Sequence, residues 1–196
     1  FPIRVTRKYD SRSEYDSAVG YGWSFAHDKR LFEYPDGSIV IRSGCGHRAR
    51  FVLTGGAYVS ASGDIAGQLF SDSNGSYEFK HVDGARDIYS PLGQLAAVIA
   101  PSGQRHEYIY DAREQLPLIG TSPRAVDPNK PMLVAYLPRL TRIEERTSNG
   151  LLTGYHVDFA YNDTTGRLTG IVADDGRQLT YTHDVFSGAT RGNLVS

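Results

Sequence analysis

Short apolar runs recur along this chain at intervals of roughly ten residues, bounded by glycine, proline, asparagine or aspartate. No stretch carries the i, i+3, i+4, i+7 spacing of an amphipathic helix. Residues 31–34 and 38–42 flank Pro35-Asp36-Gly37, and Gly44-Cys45-Gly46 leads into an extended run around residues 47–53. Residues 77–81 and 86–89 flank Asp83-Gly84, and residues 140–147 and 155–161 flank Asn149-Gly150. Two extended runs around a residue that tolerates positive φ are the mark of a β-hairpin. The expectation is an all-β chain of antiparallel hairpins.

Two of the hairpins are copies of one another. Residues 93–111, GQLAAVIAPSGQRHEYIYD, align without a gap on residues 166–184, GRLTGIVADDGRQLTYTHD. Gly93 matches Gly166, Leu95 matches Leu168, Ala100 matches Ala173, Gly103 matches Gly176, Tyr108 matches Tyr181 and Asp111 matches Asp184. Each copy reads as an apolar strand, a two-residue turn at Ser102-Gly103 or Asp175-Gly176, and a second strand ending in aromatic residues. Tyrosines placed there can cover a neighbouring hairpin while their hydroxyls reach water or a backbone group, Tyr110 among them. Asp111 and Asp184 stand at strand ends, where a bond to the next backbone amides would turn the chain.

Residues 112–138 break the pattern, because Pro117, Pro123, Pro128, Pro131 and Pro138 remove ladder donors. The stretch reads as an insertion with one short strand at residues 132–137. It serves either as a crossover between sheet segments or as a lid, plug or contact arm. The expected organisation is an N-terminal β segment over residues 1–90, a repeat at 91–111, the insertion at 112–138, and further hairpins over 139–196 that include the repeat at 166–184.

Composition narrows the function classes. A hydrophobic fraction of 40% over 196 residues supports a real core, and 21 glycines with 13 tyrosines suit turns and aromatic strands. With 21 basic against 22 acidic side chains and no run of either sign, nucleic acid is not an expected partner. No apolar stretch reaches the roughly 20 residues of a membrane span. The single cysteine, Cys45, can form no internal disulfide, and its Gly-Cys-Gly setting reads as a small residue buried or half-buried in a turn. The chain opens without an initiator methionine and ends without a terminal motif, so it is expected to be part of a longer polypeptide.

The two aligned units resemble the YD repeat of the Rhs family: a glycine, a leucine two residues on, a second glycine near the turn, a tyrosine, and a closing Tyr-Asp. The first copy ends in Tyr110-Asp111; the second departs from the signature with His183-Asp184. Residues 1–51, with the runs at 7–13 and 20–24 and the later Gly-His-Arg-Ala-Arg-Phe, are similar to the segment that opens the repeat region of bacterial Rhs proteins. This resemblance implies a curved, repetitive sheet, one strip of a hollow β-shell that encloses a toxin domain. Insecticidal toxin-complex components and animal teneurins use related shells. It further implies a secreted or translocated bacterial effector, with more YD repeats of a longer parent chain, or self-association, and the encapsulated toxin as partners. The family's aspartate-based cleavage motif has no match, since Asp127-Pro128 stands alone. The implied role is encapsulation.

Candidate chemistry is thin. His27, His47, His81, His106, His156 and His183 show no metal-ligand spacing, so neither a metal nor a cofactor is expected, and catalytic residues are assigned to none. No serine sits in a nucleophile elbow. Asp36, Asp83 and Asp175 have turn roles, although two carboxylates roughly 5–10 Å apart on distant strands would make a hydrolase. Tyr15, Tyr21, Trp23 and Phe25 form the best candidate ligand surface, for a carbohydrate or a protein, with Tyr21 and Trp23 at its centre; the alternative is core packing of the first sheet segment.

Overall fold

Eight of the strand connections are built alike, over residues 34–38, 43–47, 72–76, 81–85, 90–94, 100–104, 147–151 and 173–177. In each, the first residue donates its N–H to the carbonyl of the fifth and accepts from the N–H of the fourth, which is a glycine with positive φ. This is a three-residue loop with a glycine bulge, not the two-residue turn expected at Ser102-Gly103 and Asp175-Gly176. The tighter turn needs positive φ at both central residues. No non-glycine residue has it here, so Ser102 and Asp175 stay in the ordinary region and Pro101 and Asp174 join the loops. Carboxylates at the middle position accept the amide two residues on: Asp36 from Ser38, Asp83 from Ala85 and Asp175 from Arg177. Cys45 takes that middle position in its own loop and is exposed, contrary to expectation, because the loop points its second side chain outward.

The computed structural model describes residues 2–12, 16–63, 66–111 and 138–184. The strand expected at residues 132–137, with all of the insertion but Pro138, lies outside them. No described residue is helical. Four short strands come first: β1 (Arg7–Tyr9), β2 (Asp16–Ser17), β3 (Gly20–Tyr21) and β4 (Trp23–Phe25), paired β1 with β4 and β2 with β3. The main sheet then follows as β5 (Arg30–Glu33), β6 (Ile39–Arg42), β7 (Arg48–Thr54), β8 (Ala57–Ser60), β9 (Gly67–Ser71), β10 (Tyr77–His81) and β11 (Arg86–Tyr89). It continues through β12 (Leu95–Ile99), β13 (Arg105–Tyr110), β14 (Leu140–Arg146), β15 (Leu152–Tyr161), β16 (Leu168–Ala173) and β17 (Gln178–Thr180). All thirteen strands lie in sequence order and pair antiparallel with their chain neighbours. The sheet is therefore one long meander, unbroken across the repeat boundaries.

Alternation along the strands gives the sheet two unlike faces. One buries Phe51, Leu69, Phe79, Leu95, Ile143, Phe159 and Leu168 in a continuous core. The other carries, across β13 to β15, a ladder of charges in which Glu107 meets Arg105 and Arg146, Glu144 meets Arg146 and Arg142, and Arg142 meets Asp158. Glu107 and Glu144 stand directly opposite each other, and the arginines on either side offset their repulsion.

The sheet also curls. β5 and β12 are seven places apart in strand order, yet Leu31 N–H donates to the Gly93 carbonyl at 2.8 Å and Arg30 bridges to Gln94. The ends do not close: among the described residues β17 pairs only with β16. The N-terminal strands lie against the core face: Phe25 meets Phe159 edge-on at 5.6 Å, and Leu168 N–H donates to the Ala18 carbonyl. Val19 and Phe25 are part of the core.

Gly93 combines two demands, a φ of +74° and a Leu31 carbonyl oxygen only 2.1 Å from where a Cβ would stand. Gly176, at the same loop position, has a φ of +83° and open space around it. Gly176→Ala should cost about 1 kcal/mol, the strain of a left-handed alanine, whereas Gly93→Ala should cost at least ~2 kcal/mol by forcing the curl apart. Urea unfolding of the two variants checks this; equal losses would mean that the β5–β12 contact contributes nothing.

Candidate functional site

Tyr89, Tyr110 and Tyr161, which end β11, β13 and β15, line up along one long edge of the sheet. At three successive hairpins the ladder register shifts just before a tyrosine: between Ile88 and Tyr89, Ile109 and Tyr110, and Ala160 and Tyr161. Each tyrosine then faces a leucine that opens the next strand, Leu95, Leu140 or Leu168. A bulge rotates the side chain and strengthens the local twist. As a result Tyr110 Oη donates back to the Leu95 carbonyl at 3.0 Å, and Tyr161 Oη to the Leu140 carbonyl at 2.8 Å. Burial pushes both phenols above their ordinary range, so they remain donors. Each stitches its strand to the preceding one. Asp111 does likewise at the next position: its amide donates to the Arg139 carbonyl and its carboxylate accepts the Arg139 amide at 2.8 Å. That bond spans the insertion and joins the returning chain, where the sequence suggested a purely local turn.

The structural frame of the repeat differs from the one drawn by alignment. Tyr89-Ser90 with Gly93-Gln94-Leu95, Tyr110-Asp111 with Arg139-Leu140, and Tyr161-Asn162 with Gly166-Arg167-Leu168 are equivalent stations. The alignment from Gly93 to Asp111 cut through two of them and passed over Tyr161-Asn162. A tyrosine before a short polar residue, followed by Gln-Leu or Arg-Leu, was the available signal. The polar residue beside each leucine, Gln94, Arg139 or Arg167, is buried. Arg139 bonds the Asp163 carboxylate and lies over the Tyr161 ring; Arg167 Nη1 donates to the Ser17 carbonyl. Gly103 and Gly176 close loops on the opposite edge. Tyr108 faces Ile143 in the core, while Tyr181, just beyond β17, is buried and bonds Thr169 through its amide. Asp184 is the last described residue, and no ladder pairing involves it.

The candidate ligand surface is already in use within the chain. Trp23 is half-buried, with the Arg7 guanidinium 5.2 Å from its ring centre and Tyr9 packed at 5.2 Å. Arg7 also lies 5.3 Å from Tyr181, so one cation bridges the N-terminal pair and the end of the sheet. Tyr21 is half-buried in the β2–β3 pair, Phe25 belongs to the core, and Tyr15 lies outside the described residues.

Polar groups on the core face gather around residues 27–29. His27 Nδ1 pairs with Tyr108 Oη at 3.0 Å and Nε2 with the Arg4 carbonyl at 2.9 Å. Loss of hydration lowers His27 to about 4; the Arg4 bond opposes this, and His106 and Lys29 add to it. Asp28 binds buried Arg42 at 3.2 Å, and Lys29 binds buried Asp87 at 2.8 Å. Burial alone would raise Asp87, but the His81 hydrogen bond and the Lys29 ammonium outweigh it and hold the carboxyl below its usual range. The two buried carboxylates, Asp87 and Glu145, share a row that runs Asp87, Val98, His106, Glu145 across β11 to β14. Three strand spacings put them about 14 Å apart, beyond the roughly 5–10 Å of a glycosidase pair. His106 stands on β13, and His183 follows β17, which is four places away in strand order. Among the described residues no group of three His, Cys, Asp or Glu is arranged to hold a metal ion, and no helix is long and apolar enough to cross a membrane.

A family described as a domain of unknown function, DUF6531, matches residues 1–51, which comprise β1 to β6 and most of β7. No curated protein matches the chain.

Tyr89 supplies an internal contrast to its two equivalents. It is 0% exposed and its hydroxyl has no partner among the described residues. Tyr110→Phe and Tyr161→Phe should each lower stability by about 1 kcal/mol, the worth of one hydrogen bond, whereas Tyr89→Phe should be neutral or stabilising because it removes an unsatisfied buried oxygen. Denaturant unfolding decides it, and a Tyr89→Phe loss equal to the others would contradict the stitch.

Proposed function

We propose that this chain is a structural segment of an Rhs-type YD-repeat shell, and that its task is to wall off a toxin domain carried by the same polypeptide. The observation that carries this reading is the open end of the meander. Leu179 on β17 stands opposite buried Ile171 on the core face, yet it is 54% exposed. Ile171 itself is 4% exposed, so the core runs up to β17 and stops one side chain short of it. Among the described residues no strand pairs with the far side of β17, and a further strand there would cover Leu179 for about 1.5–2 kcal/mol. The recurrent stitch of tyrosine to leucine carbonyl supports extension in the same sense, since each hairpin presents the next with the same edge. Packing of Trp23 against Arg7 and Tyr9 takes weight from a carbohydrate- or protein-binding module, and the spacing of Asp87 and Glu145, with the facing pair Glu107 and Glu144 held by arginines, takes weight from a hydrolase.

Two measurements test the proposal. The 196-residue chain should self-associate with concentration in light scattering, and Thr180→Pro or Leu179→Lys, by spoiling the β17 edge, should return it to monomer. A monomer at every concentration would remove the case for an extensible edge. In the intact parent polypeptide, the segment beyond the repeats should resist added protease while native and be digested once the sheet is unfolded; digestion in the native state would overturn encapsulation.

A further inference from the structure

Residues 27, 28 and 29 lie between β4 and β5, and each reaches a different strand of the main sheet. His27 reaches Tyr108 on β13, Asp28 reaches Arg42 on β6, and Lys29 reaches Asp87 on β11. Three consecutive side chains thus tie the N-terminal strands to points far apart along the meander. Immediately after them comes the backbone contact of Leu31 with Gly93. Before them, β1 to β4 dock through Val19 and Phe25 in the core, Phe25 on Phe159, Arg7 against Tyr181, and the Ser17 and Ala18 carbonyls with Arg167 and Leu168. The chain's only tryptophan is in this docked segment.

We infer that residues 27–29 are an acid-sensitive clasp, which holds the N-terminal strand pairs on the core face of the sheet and releases them, ahead of the sheet itself, when the medium is acidified. The inference stands whether or not the chain belongs to a shell. The Arg4 carbonyl requires a proton on His27 Nε2, so in the neutral ring Nδ1 is the acceptor for Tyr108 Oη–H. A second proton, on Nδ1, turns that acceptor into a donor and places a charge among groups that do not welcome it. Tyr108 and His106 face it from β13, Lys29 follows it in the chain, the Phe25 ring packs against it edge-on at 5.4 Å, and Arg4 offers only its carbonyl. Around the next tether, Asp87 faces Lys29 and His81, and its protonation removes the anion that both hold. Asp28 faces Arg42. The sign is the same for both titrations. His27 is harder to protonate in the closed state than when freed, so closure is favoured above the ordinary histidine value and weakens as pH falls towards about 4; Asp87, held below the usual carboxylate range, adds to the loss only at still lower pH. For His27 alone the equilibrium between closed and open should fall by up to about 20-fold between pH 7 and pH 5.

Trp23 makes the test direct. Its fluorescence reports the docked segment, and far-UV circular dichroism reports the sheet. On acidification from pH 7 the fluorescence transition should precede the loss of sheet signal. His27→Gln, which keeps one donor and one acceptor without titrating, should move that transition to lower pH. Tyr108→Phe, which removes the tether from the other side, should move it to higher pH. Coincident transitions of the two probes in the native chain, or an unchanged midpoint in a folded His27→Gln, would overturn the clasp. Should His27→Gln fail to fold, hydrogen exchange of the unaltered chain decides instead: after correction for intrinsic rates, residues 2–25 should lose protection between pH 7 and pH 5 while residues 86–110 keep theirs. Equal loss in both would overturn the inference.

Discussion

The curl of the sheet depends on one close approach, the Leu31 backbone against Gly93. A thirteen-strand meander could in principle run flat, leaving both faces wet. With strands seven places apart brought into contact, one face becomes an inside, and apolar residues from β6 to β16 pool into a single core. A side chain at residue 93 would stand where the Leu31 carbonyl now lies. The glycine that marks the start of the repeat in the sequence is therefore required twice, once for its loop and once for the curvature.

Around that contact the sheet is held by a small repeated device. A bulge precedes each tyrosine, the Tyr110 and Tyr161 hydroxyls find the carbonyls of Leu95 and Leu140, and buried Arg139 and Arg167 meet a carboxylate and the N-terminal backbone respectively. Nearest-neighbour ties of this kind make the meander extensible, because each tyrosine reaches only the adjacent strand. The N-terminal strands are the exception. They cross the inside of the curl and touch β6, β11, β13, β15 and β16, which makes them a filling more than a repeat, and their polar tethers concentrate at residues 27–29.

Local chemistry was legible in the residues themselves. Loop glycines, the aspartates beside them, and the strands they bound are legible because a loop with a glycine bulge is decided by its own residues; the loops at Ser102-Gly103 and Asp175-Gly176 are one residue longer than the expected two-residue turn because Ser102 and Asp175 do not adopt positive φ. The frame of the repeat was half legible. Tyr110-Asp111 stood out, while Tyr161-Asn162 and Tyr89-Ser90 did not, because their equivalence lies in a register shift and not in identity of residues.

Tertiary structure alone decided which polar groups go inside and what they meet. Nothing around His27 announces Tyr108, 81 residues away, and nothing around Lys29 announces Asp87. Nothing in the sequence marks Arg139 and Arg167 for burial, which their neighbours impose. The same holds for Trp23, an apparent ligand platform in sequence that the fold stacks beneath Arg7. The physical reason is range: turns and strand alternation are set within a few residues by backbone geometry, whereas curvature, burial and charge pairing depend on strands that meet only after the whole meander has formed.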